Sequence, residues 1–226
     1  MRITTMVLLL SVSLLAAGKE KDAALRLDDA ATVFSEIMAT PDKGIPQDLL
    51  EKAHCMVIVP GLKKGAFIVG GKYGKGFVTC RKDGAAGWSA PGAVRVEGGS
   101  VGFKIGGSES DVILLVMNER GAQRLLSSQF TLGGEGEVAA GPVGRDATAQ
   151  TDAKFTAEIL SWSRSRGVFA GLSLQGATLR QDLDDNEDLY GKKLENREII
   201  EGGVRPPAAA HNLLNLLGRY SPKERG

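Results

Sequence analysis

The stretch CMVIVPGLKKGAFIVGGKYGKGFVTCRK, residues 55–82, gathers β-branched and aliphatic residues into short runs separated by glycine. Met56 to Val59, Ala66 to Val69 and Gly76 to Arg81 each have the composition of a strand, and the glycines between them mark turns and bulges. The pattern continues downstream, where Gly99 to Ile105, Val112 to Met117, Glu135 to Ala140, Lys154 to Ser161 and Val168 to Leu174 are further strand candidates. Many short strands at this spacing predict a mainly β fold with flanking α-helices, an α+β arrangement whose core over residues 55–180 is an antiparallel barrel or sandwich-like sheet. A helix over Glu119 to Ser127, capped by Asn118, interrupts the strands.

Working outward, Leu27, Ala30, Ala31, Phe34, Ile37 and Met38 recur near a period of 3.6 between Ala24 and Met38, opposite Arg26, Asp28, Asp29 and Glu36. This is an amphipathic helix closed by Pro41, and a second starts at Pro46 and runs to Ala53. The polar face of the first helix carries three acids against one base, which is wrong for attraction to anionic lipid. Packing on the sheet is therefore expected, and lipid contact through this helix would require it to undock. The C-terminal part is helical over 182–217, with an acidic start at Asp182 to Asp188, a short helix around Arg197 to Ile200, and Pro206-Pro207 opening Ala208 to Leu217. No linker divides these parts, so residues 19–226 are expected to form a single domain.

The 226 residues are 42% hydrophobic, 24% charged and 5% aromatic, with 30 glycines. That balance excludes disorder and collagen, and a net charge of +1 excludes a global attraction to nucleic acid. Arg2 followed by the apolar run Met6 to Ala17 and small residues at Ala16-Ala17-Gly18 resembles a secretory signal peptide over residues 1–18. Export to a periplasmic or extracellular space is expected, without lipid anchoring at Lys19, where a lipoprotein would need cysteine.

Cys55 and Cys80 are the two thiols. Export would let a disulfide persist, yet both sit in apolar runs of a chain long enough not to need one, which favours a buried thiol pair slightly over a bond. Neither has metal-ligand neighbours, so no metal and no cofactor are expected.

Catalytic strings fail on context. Gly98-Gly99-Ser100-Val101-Gly102 matches G-x-S-x-G but leads into alternating strand rather than helix, and the two histidines, His54 and His211, are expected to be structural or surface residues. Gly134 to Ala139 opens a strand with acids where pyrophosphate would lie, and the acidic run from Asp182 has Glu187 where a calcium loop needs glycine. The chain is expected not to be an enzyme.

Charge is segregated: from Lys52 to Lys104 there are nine basic residues against Asp83 and Glu97. If Ala66 to Val69 pairs with Gly76 to Arg81, then Lys63 and Lys64 lie beside Arg81 and Lys82 at one hairpin end. Lys72 and Lys75 would then flank Tyr73 at the turn, about 20 Å away. Such a cluster suits an anionic surface, each charge contributing about 1 kcal/mol near it. The alternative is that lysine merely solvates strand ends against aggregation. Trp88 and Trp162 are expected to be buried. Arg164 and Arg166 share a strand face and, with Arg145, either bind phosphate or pair with the acidic segment from Asp182.

The ordered segments Gly65 to Phe67, Gly70 to Gly76, Arg81, Trp88 to Pro91, Gly98 to Gly102, Asp111-Val112, Met117-Asn118, Ala140 to Arg145 and Ser163 to Gly171 resemble the SYLF domain, over roughly Asp28 to Tyr190. That family comprises lipid-binding modules of eukaryotic trafficking and actin-associated proteins and of stand-alone exported bacterial proteins. The resemblance implies a non-enzymatic, phospholipid-binding β-rich domain. Together with the charge pattern, it sets the expectation of a cell-envelope module that binds anionic phospholipid or a membrane surface peripherally through Lys63, Lys64, Arg81 and Lys82, then Lys72, Lys75 and Tyr73. An envelope protein partner without direct lipid binding is the alternative.

Overall fold

The computed structural model describes residues 22–40, 44–66, 69–82, 87–101, 106–134, 138–141, 157–165, 168–169, 174 and 176–222. The expected signal peptide, Arg145 and Arg166 lie outside the described residues.

Nine strands make one sheet among the described residues. They are β1 (Cys55–Ala66), β2 (Val69–Cys80), β3 (Gly92–Val101), β4 (Gly106–Val116), β5 (Gln129–Thr131), β6 (Val138–Ala140), β7 (Ile159–Ser165), β8 (Val168–Phe169) and β9 (Thr178–Gln181). The spatial order is β5-β9-β3-β2-β1-β4-β7-β6, with β8 on β7. Every ladder is antiparallel except β6 with β7. Phe130 of β5 and Leu179 of β9 share one apolar cluster with Val57 and Val112 from the middle of the sheet, so the sheet curls into a half-barrel. Among the described residues no ladder joins β5 to β6, and the curl stays open.

Both faces of the central strands are buried, which explains why CMVIV and VILLV read as continuous apolar runs rather than alternating ones. Met56, Ile58, Phe77, Ile113, Leu115 and Trp162 face a helical layer. Val57, Val59, Val78, Val112 and Leu114 face the inside of the curl. The helical layer contains α1 (residues 22–38), α2 (Gln47–Lys52) and, near the C-terminus, α6 (His211–Tyr220) after a 3-10 turn at Ala208–Ala210. Leu27, Ala30, Ala31, Phe34 and Ile37 of α1 are fully buried, and Phe34 meets Tyr220 edge to face at 5.7 Å. The amphipathic first helix thus packs on the sheet, as its net acidic polar face implies. Inside the curl lies α3 (Glu119–Leu125), whose Asn118 Oδ1 accepts the Gly121 N–H at 2.7 Å. Trp88 and Trp162 are both buried.

The acidic run from Asp182 caps and forms α4 (Leu183–Tyr190), a helix and not a calcium loop. Next comes α5 (Asn196–Glu201). Buried Asn186 and Asn196 tie these two helices to the sheet: Asn186 Oδ1 accepts the Ala93 N–H at 2.7 Å, and Asn196 Nδ2 donates to the Ala93 carbonyl at 3.0 Å.

Three sequence expectations change. First, β1 and β2 are each twelve residues long and are laddered to each other from Cys55–Cys80 to Ala66–Gly70, so Ala66 to Val69 is not a strand of its own. Pro60-Gly61 makes a bulge inside β1, between Ile58 and Lys63 of the ladder to β2. The bulge switches parity: Val59 and Leu62 face the same side although three residues apart. The glycines of β2 accommodate it, for a Cβ on Gly76 would lie 2.0 Å from the Ile58 carbonyl oxygen. Second, β3 starts at Gly92 and β4 at Gly106, so Gly98-Gly99 and Gly106-Gly107 sit within strands. Third, in this register Cys55 and Cys80 are direct ladder partners and form a disulfide, not a free thiol pair.

Candidate functional site

Two twelve-residue strands place the basic residues of 52–104 on a hairpin with two distinct ends. At the disulfide end, Arg81 turns inward. Its guanidinium donates to the Ser221 carbonyl at 2.7 Å and the Leu50 carbonyl at 3.0 Å, and stacks 4.3 Å above the Trp88 ring. Burial lowers its pKa, against the opposing pull of Glu51. Arg81 therefore ties α2 and the chain following α6 to the sheet. Lys82 follows it, exposed.

At the turn end, Lys63 pairs with Tyr73 and Lys64 with Lys72. The expected cluster of Lys63 and Lys64 with Arg81 and Lys82 does not form. Eight residues of β1 separate the two ends, roughly 25 Å at ~3.3 Å per residue. The structure instead joins Lys63 and Lys64 to Lys72 and Tyr73, which the misplaced turn had set apart. By alternation, Lys63 and Tyr73 share the face covered by the helices, while Lys64 and Lys72 share the other.

Lys75 lies on the same face as Tyr73 but is engaged within the molecule. Its Nζ is 2.8 Å from Asp182 Oδ2 and 2.8 Å from Asp185 Oδ1. Burial alone would lower its pKa, yet these two carboxylates outweigh burial and raise it. Asp182 mirrors this: burial would raise its carboxyl, but Lys75 and the Asp185 N–H hold it below the usual value. Arg26 of α1 also pairs with Asp185.

The helix-covered face loses its apolar cover toward the turn end. Glu109 and Asp111 on β4, Lys63 on β1, and Tyr73 and Lys75 on β2 face α1 there across a cleft of about 490 Å³. Arg164 on β7 crosses it, pairing with Glu36 of α1 and with Asp111 at 3.0 Å. Burial would lower the Arg164 pKa, but these carboxylates raise it. Arg164 thus pairs with acids, though not with the segment from Asp182. Asp111 Oδ1 also accepts the Gly61 N–H of the bulge at 3.1 Å.

Sequence reasoning named the bases of this cleft and missed its acids. The available signal was Arg26, Asp29, Val33 and Glu36, a stripe at helical spacing beside the apolar face of α1. Tyr73 stands out at its mouth: 50% exposed, it is one of three exposed large apolar side chains among the described residues, with Leu25 and Leu183. Ser100 of the G-x-S-x-G string lies in β3 opposite Gly70 rather than at a strand-to-helix elbow, and residues 135–137 of the second string lie outside the described residues. Among the described residues no group of three His, Cys, Asp or Glu could hold a metal ion, and no helix is long and apolar enough to cross a membrane.

The family model described as "Ysc84: Las17-binding protein actin regulator" matches residues 97–220, more than half of the chain. The SH3 domain-containing YSC84-like protein 1 of Homo sapiens is 34% identical over 194 residues, covering 84% of this chain and 56% of that protein. The Xenopus laevis counterpart is 32% identical over 208 residues, 91% of this chain and 61% of the relative. LAS seventeen-binding protein 3 of Saccharomyces cerevisiae is 35% identical over 181 residues, 78% of this chain and 39% of the relative. The chain spans about half the length of the curated relatives it matches.

Proposed function

The chain belongs to the Ysc84 (SYLF) family, and from that premise we propose that it is a non-catalytic binding module that docks peripherally on anionic phospholipid through the turn end of the β1–β2 hairpin. The observation that carries this reading is Tyr73, exposed beside Lys63 on one face of the hairpin end whose other face carries Lys64 and Lys72. An amphipathic ring with a basic collar suits a membrane interface, where the ring sits among headgroups and each cation adds about 1 kcal/mol. The docking set is Lys63, Lys64, Lys72 and Tyr73. Lys75 and Arg81 hold the fold, through Asp182 and Asp185 in one case and backbone carbonyls in the other. The apolar run before Lys19 supports export, so the surface it meets is that of the cell envelope.

Co-sedimentation with neutral and anionic liposomes across a salt series tests this. Binding is expected only to anionic vesicles, declining as salt screens the collar, and lost in Lys63→Glu with Lys72→Glu. No binding to either vesicle type refutes it.

The relatives' names favour a second reading, a protein-interaction module: the matched model names a Las17-binding actin regulator, and the yeast relative a LAS seventeen-binding protein. A protein interface with an apolar centre survives salt and charge reversal better than the lipid reading does.

A further inference from the structure

We propose that the cleft between α1 and the β1 bulge is a site for a phosphate ester carrying a primary ammonium, the chemistry of a phosphoethanolamine headgroup. This rests on the membrane-docking reading and adds to it which headgroup the cleft selects.

Four cationic and four anionic side chains line the cleft. Five of them are spent on ion pairs: Arg26 and Lys75 reach the acids of α4 and its cap, and Arg164 holds Glu36 and Asp111. Among the described residues, Lys63, Asp29 and Glu109 take part in no ion pair. The groups left to meet a ligand are therefore one cation and two carboxylates, with the Tyr73 hydroxyl beside them. A purely anionic ligand would face a net negative remainder, whereas a zwitterion satisfies both signs.

Their placement fits that ligand. Glu109, Lys63 and Tyr73 are successive ladder partners on β4, β1 and β2, a row of carboxylate, ammonium and phenol. Gly61, at φ 57°, lets the Glu109 carboxylate lie over the bulge, since a Cβ there would come within 2.6 Å of its Oε1. Asp29 faces the row from α1. In this arrangement the phosphate accepts from Lys63 Nζ and the Tyr73 hydroxyl, and the ligand's ammonium donates to Glu109 and Asp29 beside the Tyr73 ring.

The test titrates O-phosphoethanolamine into the full chain at low salt by calorimetry, with inorganic phosphate and ethanolamine as separate probes. Phosphoethanolamine is expected to bind about tenfold tighter than either, the worth of one added charge-assisted contact. Asp29→Asn with Glu109→Gln is expected to erase that margin with unchanged melting, because both side chains are exposed. Equal binding of inorganic phosphate, or a margin that survives the double variant, overturns the proposal.

A vesicle arm at fixed anionic content, with phosphatidylcholine replaced by phosphatidylethanolamine, separates the sources. Binding that rises with phosphatidylethanolamine assigns the headgroup to lipid. Vesicle binding indifferent to it, with no soluble margin, overturns this inference and leaves the docking reading standing. A soluble margin without binding to any vesicle assigns the site to a soluble phosphoester and overturns the docking reading instead.

Discussion

Gly76 is the residue on which the description of the hairpin depends most. It sits on β2 against the Pro60-Gly61 bulge, and a Cβ added there would lie 2.0 Å from the Ile58 carbonyl oxygen and 2.8 Å from the Val59 Cα. Both neighbours are backbone, so no flexible side-chain tip can yield. Restoring ordinary contact moves the bulge by more than 1 Å, and β1 is laddered to β2 on one side and β4 on the other. Overpacking of this kind costs about 1–3 kcal/mol, near the upper end against backbone. A weakened ladder hydrogen bond adds about 1 kcal/mol, and the stiffer unfolded chain returns about 0.5–1 kcal/mol. The net for Gly76→Ala is about 3 kcal/mol. At ~2–4 °C per kcal/mol for a chain of this size, that lowers Tm by roughly 6–12 °C. Calorimetric melting measures it, with Gly65→Ala as the internal control. A Cβ on Gly65 meets nothing within 4 Å, so that variant should melt at or slightly above the wild-type temperature. Equal Tm values for Gly76→Ala and wild type, or an equal fall for Gly65→Ala, would refute the bulge packing.

Arg81→Ala should cost about 2–3 kcal/mol in urea unfolding, from two charge-assisted bonds to carbonyls and the Trp88 stacking, while leaving vesicle binding per folded molecule intact. Removing the disulfide with Cys55→Ala and Cys80→Ala frees a loop with a sequence separation of 25 and should destabilise by about 3 kcal/mol. Alkylation of the folded, unreduced protein should add no label. Asp182 is held below 3.8, so its contribution is full above about pH 4 and is lost as pH falls through the depressed value. Melting between pH 6 and pH 2 should show that loss, with a shallower acid slope in Asp182→Asn. Lys75, raised above 10.5, contributes below that value and loses its contribution as pH rises through the raised one.

The helices were legible because their signals are local. Asn118 caps from three residues away, Asp182 does the same, and the apolar period of α1 names its buried face directly. The strands were legible in existence but not in extent, because glycine carries two meanings. At 70–76 it reads locally as a turn, whereas it lines a strand beside a bulge, and only the distant backbone of β1 distinguishes the two. Running β1 to Ala66 and β2 from Val69 changes every pair on the hairpin. It joins Cys55 to Cys80, parts Lys63 from Arg81, and brings Tyr73 to Lys63. The bases of the cleft were visible in the sequence, but their commitments were not, since Lys75 finds Asp185 across 110 positions and Arg81 finds Ser221 across 140.

The strand order bears on where a working fragment of this protein begins. The family match opens at Glu97, partway along β3, and runs on through β4. Consecutive in sequence, those two strands are strangers in space, because the β1–β2 hairpin stands between them. A polypeptide cut at Glu97 would keep one bank of the river and neither the bridge nor the other: β4 with β7 and β6 on one side, and on the other β9 and β5 holding β3 only through the Glu97–Thr178 pair. The span of the family model and the span that completes the sheet are therefore different lengths of chain. During synthesis the hairpin's residues emerge before either of the strands they will join.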